Sequence, residues 1–304
     1  MKIVITGATG NLGRYVVDII SRKYECRLIG RSGEKLNYLF GTASSHETIP
    51  SDYSIDSLLY ALSGVQAVIH LAGLRPGDEP KGLVLYQENL RITMNLFEAC
   101  KSLGISNIVF ASSSSVYTPG IDSLPFRENV DLFPVSHYAA GKLACEKLGA
   151  VYGFRMKSLR IAPIIGLYER SNYVRIAHIH KALRNEPLAI HGDGSGAREY
   201  LYAKDAAQAV RLALEKPELA AVINIGTGMG ISQRRYAASV NKVFAEEGSD
   251  ILYYPERPGY RDIRYMSCKK AHKLLGYRPA YSLNAALLDL RRDMENEEHE
   301  NPFQ

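Results

Sequence analysis

The chain has 304 residues, 46% hydrophobic and 23% charged, with a formal net charge of +5. That balance suits a soluble globular protein whose core needs neither metal nor disulfide to hold it. Five surplus positive charges over this length describe a scattered basic surface; they argue against a nucleic-acid protein but favour an anionic small ligand.

The first element is "KIVIT" (2–6), a short β-branched run that reads as a buried strand. Glycines follow it, and then the amphipathic stretch 11–22, which reads as a helix. Residues 25–29 (ECRLI) form the next strand and complete a strand–helix–strand unit. The alternation continues with a strand at 65–71, a long helix at 84–103, a strand at 105–111, a helix at 137–153 and a strand at 156–161. This order predicts a parallel sheet covered by helices on both faces. After about residue 165 the pattern loosens, with turns at "GDGSG" (192–196) and "RPGY" (257–260). One more buried strand, 221–225, can return to the first sheet. The expected division is therefore 1–165 and 166–304, with the acid-rich tail frayed from about 292.

Several classes fall away. Cys26, Cys100, Cys145 and Cys268 form no CxxC and sit near no His cluster. They read as small core residues of a reduced, cytoplasmic protein, not as metal ligands. The N-terminus lacks an apolar run of signal length, and nothing approaches the ~20 apolar residues of a membrane span.

The turn "TGATGNLG" (6–13) spaces Gly7, Gly10 and Gly13 as GxxGxxG between a strand and a helix start. Glycines there let the backbone turn tightly and approach a pyrophosphate, which Asn11, Leu12 and the helix N-terminus would face. At the end of the second strand stands Arg31, in "GRS", where an acid would grip ribose hydroxyls. Arginine suits the extra phosphate of NADP, and it equally suits a solvated loop. Asp52 is either an adenine contact or a turn cap. In "SHYAAGK" (136–142), Tyr138 and Lys142 are four apart and share a helix face. A tyrosine with its ordinary pKa of about 10 is only ~0.1% phenolate near neutrality, so a base made of Tyr138 needs help. The Lys142 ammonium is expected to lower its pKa.

"TGATGNLG", "HLAG" (70–73), "FASSSSVY" (110–117), "SHYAAGK" and "REYLYAKDAA" (198–207) occur in that order. Together they resemble the extended short-chain dehydrogenase/reductase family, in its NAD-dependent epimerase/dehydratase branch, and look most like the UDP-sugar 4-epimerases. The resemblance covers nearly the whole chain. It implies a Rossmann-type α/β doubly wound parallel sheet with a smaller C-terminal α/β substrate domain. It makes Tyr138 the acid/base, Lys142 its partner and Ser113 the hydroxyl that steadies the substrate oxygen, with Ser112 and Ser114 as neighbouring register choices. It brings Leu71, Ala72, Gly73 and Asn89 to the coenzyme, and it assigns Asn172, Arg198 and Arg257 to a nucleotide-diphosphate sugar. It also implies a homodimer built from the helices near 84–103 and 137–153.

Three residues depart from the family pattern. Pro163 stands where many relatives carry Asn, Tyr260 where an acid often follows "RxG", and Arg31 where an NAD enzyme carries an acid. The 4,6-dehydratases carry Asp-Glu immediately after the Ser/Thr; here Ser114 and Ser115 follow, which disfavours dehydration. The expected reaction is 4-epimerisation of a UDP-glucose or UDP-GlcNAc type substrate by transient oxidation with bound NAD. The alternatives are an NADPH-dependent reductase of a nucleotide-linked keto-sugar or another sugar dehydrogenase. A non-enzymatic coenzyme sensor is disfavoured by the complete Tyr-Lys pair.

Overall fold

The computed structural model describes residues 1–41, 46–78, 81–118, 124–170 and 173–297. The first half runs β1 (Lys2–Thr6), α1 (Asn11–Ser21), β2 (Glu25–Gly30), α2 (Gly33–Phe40), β3 (Glu47–Pro50), α3 (Ile55–Leu62), β4 (Ala67–His70), α4 (Gly82–Ser102), β5 (Asn107–Ser113), α5 (His137–Val151) and β6 (Arg155–Ile161). The second half runs β7 (Ile164–Ile165), α6 (Val174–Leu183), β8 (Leu188–His191), β9 (Ala197–Arg198), β10 (Leu201–Tyr202), α7 (Ala203–Leu214), β11 (Ala221–Ile225), β12 (Ile231–Ser232), α8 (Gln233–Phe244), β13 (Ile251–Tyr254), β14 (Ile263–Arg264), α9 (Lys269–Leu275) and α10 (Leu283–Glu297).

Seven strands form one parallel sheet in the order β11-β6-β5-β4-β1-β2-β3. Its middle strands are apolar on both faces, as a sheet covered on both sides requires: Ile3, Val4 and Ile5 are fully buried, as are Val68 and Ile69. On one face, α1 and α7 enclose a core that includes Val16, Ile20, Val210 and Leu214. On the other, α3, α4 and α5 enclose Leu58, Leu96, Phe97 and Cys145. The chain builds outward from β1 to β3, then crosses back to β4 and builds the other way. The carboxyl ends of β1 and β4 therefore splay apart, with Thr6 beside His70, and open the crevice where open α/β sheets bind ligands.

The second half does not stay apart from this sheet. β11 pairs with β6, with Ile225 beside Ile161, and α7 packs against α1 in the first core. A third core lies among α6, β8, α8 and α10, around Ile176, Ile190, Val240 and Leu287. The tail also differs from expectation, because α10 remains helical through Glu297. Arg291 ties it down by pairing with Glu295 at 2.8 Å and donating to the Val243 carbonyl at 2.7 Å, while Met294 packs on the third core. No helix among the described residues is long and apolar enough to cross a membrane.

Candidate active site

A cleft of about 710 Å³ opens at the carboxyl ends of the sheet strands. Gly7, Gly10, Asn11, Leu12 and Gly13 line one end of it. Gly7 has φ +70°, and a Cβ there would lie 2.7 Å from the Ala72 amide nitrogen, so only glycine permits this approach of β1 to β4. A Cβ on Gly13 would meet the Gly7 carbonyl oxygen at 2.1 Å. Helix α1 then begins at Asn11 with no side-chain cap, and its first-turn N–H groups face the cleft as an anion site would need. These features fit a dinucleotide. The Asn11 Oδ1 is buried without a hydrogen-bond partner, and its Nδ2 donates to Glu169 at 3.2 Å.

Leu71, Ala72 and Gly73 form the adjoining wall. They are held by Thr6, whose hydroxyl accepts from the Ala72 amide at 3.2 Å and bonds His70 Nδ1 at 2.7 Å. Burial pushes the His70 imidazole down to about 3, so it is a neutral packing group. Asn89 does not line the cleft: it clamps the Leu74 backbone, accepting at 2.7 Å and donating at 2.9 Å. Arg31 lines the cleft with Ser32 and Lys35, and also an adjoining hollow with Pro50, Asp52 and Ser57. Asp52 serves as a turn cap beside that hollow. It accepts from the Ser54 amide and the Ser57 hydroxyl, both at 2.9 Å, and these bonds hold its carboxyl down at about 2.

Ser113, Tyr138 and Lys142 meet in this same cleft. Ser136 caps α5 by accepting from the Ala139 amide at 3.2 Å, which places Tyr138 in the helix's first turn. The Ser113 oxygen accepts from the Ser115 amide at 3.1 Å and the Ser115 hydroxyl at 2.8 Å. That leaves its own proton to donate into the cleft, which Tyr138 also lines. Ser112 instead points away, to Glu146.

The electrostatics correct one expectation. Burial raises the Tyr138 phenol above its ordinary pKa; the charge that opposes this is Arg75, with the Ser113 bond next. Lys142 is 5.9 Å from the Tyr138 ring centre and donates to the Ala111 carbonyl at 2.7 Å. That bond uses one of its three N–H donors, and burial lowers its own pKa to about 8.

The predicted substrate arginines lie elsewhere. Arg198 donates to the Asp262 carbonyl and carboxylate, each at 2.7 Å, and its guanidinium stacks 3.8 Å from the Tyr260 ring centre. Arg257 stacks over Tyr254 at 4.4 Å. Neither lines the cleft. Asn172 lies outside the described residues. The cleft's far end is instead built by Arg75, Asp78, Glu169, Arg170, Tyr173 and Arg175, none of which sequence reasoning singled out. Glu169 has a fully buried side chain and takes Arg75 at 2.6 Å and Arg175 at 3.0 Å. Burial pushes its carboxyl up, and these arginines more than reverse that. Arg170 pairs with Asp78. The available signal was charge density just past strand ends, in "LRPGD" after β4 and "YERSNYVR" after β7.

A family model described as the NAD dependent epimerase/dehydratase family matches residues 3–226. An uncharacterized UDP-glucose epimerase of Bacillus subtilis is 28% identical over 306 residues, covering 94% of this chain and 96% of that one. The solved UDP-N-acetylglucosamine 4-epimerase of Bacillus cereus is 33% identical with a TM-score of 0.84, covering 97% of this chain and 96% of that one. The UDP-glucuronic acid 4-epimerase of Bacillus cereus, solved with UDP-glucuronic acid and NAD, is 26% identical with a TM-score of 0.85, covering 97% and 99%. On this match and on the glycine turn, the seven-stranded sheet and the Ser-Tyr-Lys cleft, the chain belongs to the NAD-dependent epimerase/dehydratase family.

Proposed function

We propose that this chain is an NAD-dependent nucleotide-sugar 4-epimerase, with Tyr138 as acid/base, Ser113 as its hydrogen-bond partner and Lys142 as the buried cation beside them. The observation that carries this reading is that Ser113, Tyr138 and Lys142 line one cleft that begins at the glycine turn. NAD, when bound, supplies a hydride acceptor and a positive ring. Gly7, Gly10, Asn11, Leu12 and Gly13 would hold its pyrophosphate, and Leu71–Gly73 would flank it. Tyr138 takes the proton from the sugar hydroxyl at the carbon that is oxidised and gives it back to the epimer. Ser113 donates to the phenolate as it forms. Lys142 braces the strand end through Ala111.

Dehydration needs a carboxyl group placed to move a proton from carbon. Among the described lining residues the carboxylates are Asp78 and Glu169, and both are committed to arginines. Ser114 and Ser115, which follow Ser113, carry none. A second reading, reduction of a keto-sugar with NADPH, is favoured by Arg31 with Ser32 and Lys35 at the end of β2. The sugar remains one of the glucose, N-acetylglucosamine or glucuronate class that the relatives' names carry. A homodimer through α4 and α5 fits the exposed Leu83, Val84, Met94 and Val151 on those helices.

The test incubates the pure protein with UDP-glucose, UDP-N-acetylglucosamine or UDP-glucuronate without added coenzyme. Interconversion with the 4-epimer supports the proposal. Stoichiometric consumption of added NADPH would replace it with the reductase, and a 4-keto-6-deoxy product with the dehydratase.

A further inference from the structure

Two successive residues of β5 each reach a different turn of α5. The Ala111 carbonyl accepts from Lys142 at 2.7 Å, and the Ser112 hydroxyl donates to Glu146 at 2.5 Å. The next residue, Ser113, lines the cleft with Tyr138. Tyr138, Lys142 and Glu146 are spaced by four, so they form one stripe of the helix. The third member of that stripe touches no part of the cleft. It is gripped from behind instead. Arg160, on β6, donates to Glu146 from Nη2 at 2.8 Å and from Nε at 3.1 Å, with side chains 3% and 1% exposed. Arg160 also donates to the Tyr117 hydroxyl at 3.1 Å, and that hydroxyl donates to Asn224 of β11 at 2.6 Å.

We propose that Glu146, anchored by Arg160, is a positioning residue that sets the register of α5 against β5 and so holds Tyr138 and Lys142 in place beside Ser113. This rests on the assignment of Tyr138 as acid/base. Cys145 of α5 also packs into the apolar core on this face of the sheet, a non-directional contact that tolerates small slides. A two-pronged carboxylate–guanidinium pair does not, because its geometry is planar and fixed. Stability is a poor reason for such a pair, since apolar residues of similar volume often serve the fold as well. A misplacement of about 1 Å at reacting groups costs on the order of 100-fold in rate.

The test replaces both partners together, as Glu146→Leu with Arg160→Met, so that no buried charge is stranded. The expected protein is folded, with an unchanged KM for the sugar nucleotide and a kcat lower by about 10–100-fold. Its crystal structure should show the Lys142 Nζ moved off the Ala111 carbonyl. A folded variant with parental kcat and that 2.7 Å contact intact overturns the proposal. Should the pair fail to fold, Ser112→Ala decides, because it leaves the ion pair whole. A several-fold fall in kcat at constant KM supports the proposal, and parental kcat refutes it. If the parent protein turns over no nucleotide sugar, the proposed function fails, and the Lys142–Ala111 separation in the variant crystal still judges the register.

Discussion

The Tyr138 phenol is governed by several neighbours rather than by one. Burial raises its phenol, and Arg75 and the Ser113 proton pull it back. Tyr138→Phe removes the only proton carrier of the proposed reaction and leaves the packing intact. It should lower turnover by about 100- to 10,000-fold in the interconversion assay, with little change in melting temperature. Arg75→Met removes a cation that favours the phenolate, so the phenol's pKa should rise. The limb of kcat that climbs as the phenol ionises should then move to higher pH; a pH–rate profile that stays in place would show that Arg75 has no hold on Tyr138. The sequence points to Tyr138 and Lys142 because they stand four apart, whereas Ser113 is reached only through the family resemblance. Arg75 and Glu169 are 94 residues apart in sequence, and nothing in either segment announces the partner.

At the level of elements, the turn between β1 and α1 is limited by backbone against backbone. The Cβ of Gly13→Ala would press on the carbonyls of Gly7 and Ala8, which cannot rotate away as a side chain could. The variant should lose about 3 kcal/mol of stability in denaturant titration and lose retention of its dinucleotide. Strand and helix identities in the first half were readable because apolar periodicity is a local property. The helices expected at 84–103 and 137–153 are found at Gly82–Ser102 and His137–Val151. Helix α10 runs to Glu297, where Arg291 and Met294 find distant partners that composition does not reveal.

The whole molecule carries a buried lysine whose titration should be visible in global stability. Lys157 on β6 is fully buried against Asn107, and burial pushes it down to about 8. Between pH 8 and its ordinary pKa, the unfolded chain binds more protons at this site than the folded chain. Stability from this group therefore rises with pH across that window. Relative to Lys157→Met, the parent protein should gain at most about 1 kcal/mol between pH 8 and 9. Chemical denaturation of both proteins at the two pH values measures this by difference, so other titrating groups cancel. A difference that stays flat or falls would mean that Lys157 is not held neutral by the fold.

Sequence by itself determined the alternation of strands and helices, the glycine turn and the Tyr138–Lys142 stripe on α5, because each depends on residues within a few positions of one another. Tertiary structure alone decided which arginines line the cleft. Arg198 and Arg257 satisfy themselves on Asp262 and Tyr254, while Arg75 and Arg175 are drawn inward by the buried Glu169. It also decided the direction of the Tyr138 shift. A charge acts through distance and solvent exposure, and both are set only when segments remote in the chain pack together.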